Sequence, residues 1–161
     1  MELLDTIPGV ALKAAQAIVS EIGTDMSRFK SAAHLAAWAG LAPGNCESAG
    51  KRLSSFSRKG NRTLKTILVQ AAWATSRTNT YLVAQLRRIS ARRGAKRAAV
   101  AVAHSILVIA YHLISRSEPY SDLGVSHFER QEKPEVKNKR LIRQLEQLGF
   151  QVHVTEITVA S

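Results

Sequence analysis

The run Ala98 to Ile114, AAVAVAHSILVIAYHLI, sets the first limit on what this chain can fold into. It falls short of the ~20 consecutive apolar residues that a bilayer span needs, and it carries His104 and His112. A segment this apolar is better placed inside a bundle, as a central helix buried by its neighbours. No membrane partner is expected from it.

The remaining segments supply those neighbours. Leu3 to Gly23 starts apolar, turns at Pro8-Gly9, and then sets Val10, Ala14, Ala17, Ile18 and Ile22 at helical spacing, with Gly23 as a C-terminal cap. Ser31 can cap a short helix, AAHLAAWAGL, that Pro43-Gly44 stops. Asn61 to Thr75 resumes as a helix with Leu64, Ile67, Leu68, Ala71 and Ala72 inward, and Thr80 to Arg93 forms another. The apolar helix from about Ala95 to Ser115 follows, and Ser117-Glu118-Pro119-Tyr120 breaks it. Residues 118–134 look like a linker with local structure. Glu135 to Leu148 is a charged helix with Leu141, Leu145 and Leu148 as its apolar stripe, ended by Gly149. Phe150 to Thr155 alternates as one short strand. There is no internal repeat. The expected class is all-α and mostly helical, with a helix-hairpin-helix-like start, one long basic loop and one short C-terminal strand. Residues 1–116 form a helical domain, and 117–161 a linker, helix and strand.

Charge narrows the function. Against 12 Asp and Glu stand 23 Lys and Arg, a net charge of +11. Between Glu47 and Glu118 there is no carboxylate, and that interval holds 14 of the 23 basic residues. An ordinary solvated surface mixes both signs to limit self-repulsion. A long stretch of one sign points to a counter-charge that arrives with a polyanionic partner, either nucleic acid or an anionic membrane surface. A ribosomal-type RNA-binding protein has the same balance, so charge alone leaves that reading open.

Cys46 is the single cysteine, which excludes an intrachain disulfide and a cysteine-cluster metal site and suits a reducing cytoplasm. Met1-Glu2-Leu3-Leu4-Asp5 is acidic and too short to open a signal peptide, so a cytoplasmic location is expected. His104 and His112 stand two turns apart but read as core or rim histidines with hydrogen-bond partners; no metal site is expected. Trp38 and Trp73 sit inside apolar runs, where core packing is a better reading than base stacking.

Two motifs carry the chemistry. In the first, Leu4-x-x-Ile7-Pro8-Gly9-Val10-Ala11 followed by Ala15 and Ile18, a tight turn exposes backbone N–H groups at a helix start. The helix dipole favours a phosphate there. Pro8, Gly9, Val10 and Lys13 are the candidate DNA contacts, of a kind that positions DNA without reading its sequence. Ala11 stands where the helix-hairpin-helix pattern usually has a second Gly, and the first helix of the hairpin would need residues before Met1. An ordinary helix-turn-helix core element is the competing reading.

The second motif lies in the 17 residues from Gly44 to Gly60, where apolar periodicity vanishes, and runs on into the next helix. It comprises Cys46-Glu47-Ser48-Ala49-Gly50-Lys51-Arg52 and Phe56-Ser57-Arg58-Lys59-Gly60-Asn61-Arg62-Thr63-Leu64-Lys65. A serine flanked by Ala-Gly and two cations sits where a phosphate can approach. Its hydroxyl is a weak nucleophile that needs a base or electrostatic help. Lys51, Arg52, Arg58 and Lys59 can stabilise charge building on a phosphorane, while Asn61, Arg62 and Lys65 extend the DNA-contacting surface. On residue chemistry alone, a non-catalytic phosphate clamp ranks above catalysis.

The order IPGV, AxxIVSEIG, RFKSAAHLAAWAGLAP, SAGK, SRKGNRTLK, RRGAKRAAVAVAHSILVIAYHLI and PYSDLG changes that ranking. It resembles the C-terminal half of the insertion-sequence transposases related to Piv-type DNA invertases, the bridge-RNA-guided or seekRNA-guided recombinases. The likeness runs from about Leu3 to Gly149. It implies a two-part enzyme. An N-terminal RuvC-like domain with a DEDD carboxylate tetrad binds Mg²⁺, and a C-terminal transposase domain supplies a serine that forms a covalent phosphoserine link to DNA. The family's serine falls on Ser48, with Ala49 where a first Gly is common. A guide RNA and a homo-oligomeric full-length protein are implied likewise. No RuvC-like domain and no two-metal carboxylate set can be found in this chain. It therefore reads as a DNA-binding C-terminal fragment, inactive alone and without a cofactor of its own.

Overall fold

In the computed structural model, residues 2–42, 46–48, 51–54, 59–131 and 134–153 are described. They form α1 (Glu2–Asp5), α2 (Leu12–Ile22), α3 (Ala32–Trp38), β1 (Cys46–Ser48), β2 (Lys51–Ser54), α4 (Arg62–Ala74), α5 (Tyr81–Arg93), α6 (Ala95–Arg116), α7 (His127–Arg130) and α8 (Pro134–Gln147). Single 3-10 turns at Met26–Arg28 and Thr75–Arg77 follow α2 and α4. The chain divides into two units, Met1–Ser126 and His127–Ser161.

In the first unit α6 is the hub, packed by α1, α3, α4 and α5. Its 22 residues are long and apolar enough to cross a bilayer by length and composition. Its buried side chains, among them Ala98, Val102, Ile106, Leu107, Ala110 and Leu113, recur at three- and four-residue steps and face the other helices. Each large aliphatic side chain withdrawn this way contributes about 1.5–3 kcal/mol. The alanines between them let the helix axes approach. Leu35 of α3, Leu64 and Leu68 of α4, and Leu82 of α5 complete the core, all with no exposed surface.

The helix ends follow local chemistry. Asn61 caps α4, its Oδ1 accepting from the Leu64 N–H at 2.9 Å, and Ser31 caps α3 by accepting from the His34 N–H at 3.2 Å. Gly23 closes α2, its N–H donating to the Val19 carbonyl at 2.8 Å. Past α6, the segment to Ser126 stays with the first unit. The Tyr120 N–H donates to Thr6 Oγ1 at 2.9 Å and the Tyr81 N–H to Asp122 Oδ1 at 3.1 Å. The first unit thus runs beyond residue 116. The second unit holds α7 and α8, and the Leu141, Leu145 and Leu148 stripe of α8 is exposed.

Four expectations need correction. The basic stretch from Gly44 to Gly60 is not loop throughout, because β1 and β2 pair within it as an antiparallel hairpin. Helix α3 stops at Trp38, ahead of Pro43-Gly44, where Gly40 takes φ 71° and turns the chain in the left-handed region. Trp38 and Trp73 are not core residues: they are 42% and 43% exposed. The inward face of α4 is Leu64, Leu68, Ala71 and Ala72, which turns Trp73 sideways, while Trp38 leans on Phe29 with ring centroids 5.7 Å apart. Finally, Phe150 to His153 is not strand, and Val154 and Thr155 lie outside the described residues.

Candidate nucleic-acid interface

The antiparallel packing of α2 and α4 decides which of the expected contacts come together. At the C-terminal end of α4, the Pro8-Gly9 turn before α2 is pressed on the Ala71 carbonyl and on Thr75. There a Cβ on Gly9 would meet Thr75 Cγ2 at 2.8 Å, and Gly9 holds φ 85°. At the N-terminal end of α4, Asn61 Nδ2 donates to the Glu21 carboxylate at the end of α2, at 2.5 Å. Some ten to fourteen residues of α4 separate these ends, roughly 15–20 Å at 1.5 Å per residue. Pro8, Gly9, Val10 and Lys13 therefore form one locality, and Asn61, Arg62 and Lys65 another.

The second locality is the stem of the hairpin. Gly60 lies against Gly40, so that a Cβ there would fall on the Gly40 nitrogen and the Ala39 carbonyl carbon. The Lys65 ammonium donates to the Gly40 carbonyl at 3.3 Å. Asn61 is committed on both sides, to the α4 cap and to Glu21. Both feet of the segment 41–60 are thus tied to helices of the core. Between them, β1 and β2 pair with Ser48 opposite Lys51, Glu47 opposite Arg52 and Cys46 opposite Ser54, with an irregularity between Cys46 and Glu47. Ala49 and Gly50, between the strands in the sequence, lie outside the described residues. Ser48 is the last residue of β1, and Lys51 the first of β2.

Of the remaining candidates, Lys13, Lys59 and Arg62 are exposed, Pro8 and Gly9 are half-buried, and Arg58 lies outside the described residues. Val10 is buried, and its N–H donates to the Ile7 carbonyl at 3.0 Å. Glu21 and Gly40 were not singled out from the sequence. A helix-terminal carboxylate and a glycine two residues past an alanine-rich helix are weak signals until a partner is known. His104 and His112 line a cavity of about 510 Å³ beside α6, with Tyr120 and Leu123 on its other wall. Burial holds the His104 imidazole below its ordinary pKa. Among the described residues no group of three His, Cys, Asp or Glu stands close enough to hold a metal ion.

The first unit is a helical bundle carrying an antiparallel hairpin whose two feet are tied to its helices. The chain belongs to the Transposase IS116/IS110/IS902 family, which it matches over residues 1–88. It is similar to the transposase for insertion sequence element IS1111A of Coxiella burnetii, 32% identical over 126 residues, covering 73% of this chain and 33% of the relative. A putative transposase, y4pF/y4sB, of Sinorhizobium fredii is 35% identical over 124 residues, 73% of this chain and 32% of the relative. The pilin gene-inverting protein of Moraxella bovis is 32% identical over 122 residues, 73% of this chain and 38% of the relative. The chain spans about a third of the length of these relatives.

Proposed function

We propose that this chain is the part of an insertion-sequence transposase or DNA invertase that grips DNA and carries the attacking serine, Ser48. The observation that carries the reading is the register of the hairpin: Ser48 ends β1 directly opposite Lys51, on a segment whose two feet are locked to α3 and α4. A nucleophile needs a fixed position relative to the bond that it attacks. In the proposed step the Ser48 oxygen attacks a DNA phosphorus. An O–P bond to the serine forms and the P–O bond to one deoxyribose oxygen breaks. The hydroxyl proton passes to a base, and the departing oxygen takes up a proton. Lys51, Arg52, Arg58 and Lys59 offset the charge that builds on phosphorus. Reversal onto a new strand end rejoins the DNA.

Pro8, Gly9 and Lys13 give a second grip. Ala11 offers α2 no side-chain cap, so the amides of its first turn are open to a DNA phosphate beside the exposed Lys13. Asn61 acts here as a positioning residue for the stem, with Arg62 and Lys65 at the start of α4. The residues described do not fit a Mg²⁺ site, so no step is routed through a metal. Mg²⁺, a DEDD domain, a guide RNA, a homo-oligomeric assembly and a cytoplasmic setting rest on the resemblance alone.

The test is Ser48→Ala in the full-length transposase. Recombination and a phosphoserine–DNA adduct should both be lost while DNA affinity stays within a few-fold, because one hydroxyl contributes little to the electrostatic attraction. Alanine at Ser54, Ser55 or Ser57 should leave substantial activity. Normal recombination by the Ser48→Ala protein would make the hairpin a phosphate clamp instead.

A further inference from the structure

Outside the two localities above, one corner of the fold concentrates charge. Helices α5 and α6 form an antiparallel pair, tied at mid-length by Gln85 Nε2 donating to Ser105 Oγ at 3.0 Å. They meet at Gly94, which ends α5 and begins α6 at φ 83° with open space around its Cα. Arg92, Arg93, Lys96 and Arg97 lie within three residues of that corner, and all four are exposed. No carboxylate occurs in the sequence from Ser48 to Ser117. Lys96 and Arg97 even occupy the first turn of α6, where the helix dipole favours negative side chains. Like charges crowded at a helix start repel one another, and a polyanion relieves that repulsion.

We infer that the α5–α6 corner is a further docking site for the phosphate backbone of duplex DNA, apart from the Pro8-Gly9 turn. This inference rests on the DNA-handling reading above. Two observations give the corner its partner and its independence. Between Trp73 and Leu123 no large apolar side chain is among the exposed ones, so the corner has nothing to insert into a bilayer or to seat in a protein interface. Its distance from the turn follows from the chain path. Gly9 rests on Thr75, the Thr75 carbonyl accepts from the Thr78 N–H at 2.9 Å, and the Thr78 and Thr80 hydroxyls bond at 2.9 Å where α5 starts. The corner lies at the other end of the 13 residues of α5, roughly 20 Å away.

The experiment compares the whole chain with a fourfold variant, Arg92→Gln, Arg93→Gln, Lys96→Gln and Arg97→Gln, on a short mixed-sequence DNA duplex across a salt series. Helicity by circular dichroism checks the fold. A second protein, Arg92→Lys, Arg93→Lys and Arg97→Lys, keeps the charge. The slope of log affinity against log salt should flatten by roughly 0.9 for each phosphate released in the glutamine protein, and should be retained in the lysine one. Neutralising Lys137, Lys139, Arg140 and Arg143 of α8 instead should flatten it less. An unchanged slope in the glutamine protein, or an equal loss in the α8 protein, overturns the corner as a site while DNA binding itself stands. An original chain that fails to bind the duplex in low salt overturns both readings.

Discussion

Gly60 rests on the backbone of Gly40, with no room between them for a single methyl group. Gly60→Ala should therefore push the start of α4 away from the end of α3. Overpacking against backbone typically costs about 1–3 kcal/mol. Chemical denaturation of the two proteins checks the loss, and an unchanged midpoint would mean that the stem is looser than the contact implies.

Asn61→Ala should remove the cap of α4 and the partner of Glu21 together. The cap alone contributes about 1 kcal/mol. Asn61→Ser restores an acceptor for the Leu64 N–H and should recover part of the loss, without recovering the bond to Glu21. Equal stability of the alanine and serine proteins would show that the cap contributes nothing here.

The two localities at the ends of α4 that we propose contact DNA should act independently. Lys13→Gln and the pair Lys59→Gln with Arg62→Gln should each weaken duplex binding, and the combined protein should show their sum within about 0.5 kcal/mol, as for sites more than ~10 Å apart. Fluorescence anisotropy at fixed salt measures this. A combined loss well below the sum would place both on one phosphate.

Stability should fall in mild acid through His104. Burial holds its folded pKa below the ordinary 6.5. The unfolded chain therefore takes up the proton first, and stability declines as pH drops through 6.5 until the depressed folded value is passed. The thermal midpoint should be lower at about pH 5.5 than at about pH 7.5, and His104→Gln should narrow that difference. An identical difference in both proteins would clear His104.

The helices were legible because their signals are local. Asn61, Ser31 and Gly23 mark ends that the chain adopts, and Leu64 and Leu68 lie inward as their spacing requires. The hairpin was not legible. Cys-Glu-Ser and Lys-Arg-Leu-Ser lack the apolar alternation that betrays a half-buried strand, so their pairing left no trace in composition. Conversely, Phe150 to Val154 has the alternation, yet no strand forms over Phe150 to His153, since a lone strand needs a partner edge. The tryptophans misled because an apolar run on a helix includes flanking positions that face outward. Of the candidate site, charge and residue type pointed to the hairpin and the Pro8-Gly9 turn. Only the antiparallel path of α2 and α4 shows that they stand apart.

The doubly anchored stem has a consequence for how such proteins diverge. With Gly40, Gly60, Asn61 and Lys65 holding both feet, and Leu41 buried in the core, the stem fixes where the hairpin leaves the bundle. Lengthening a tethered loop is inexpensive, about 0.6 kcal/mol for each doubling. On such a socket a change in the length or charge of the tip leaves the packing of the stem untouched.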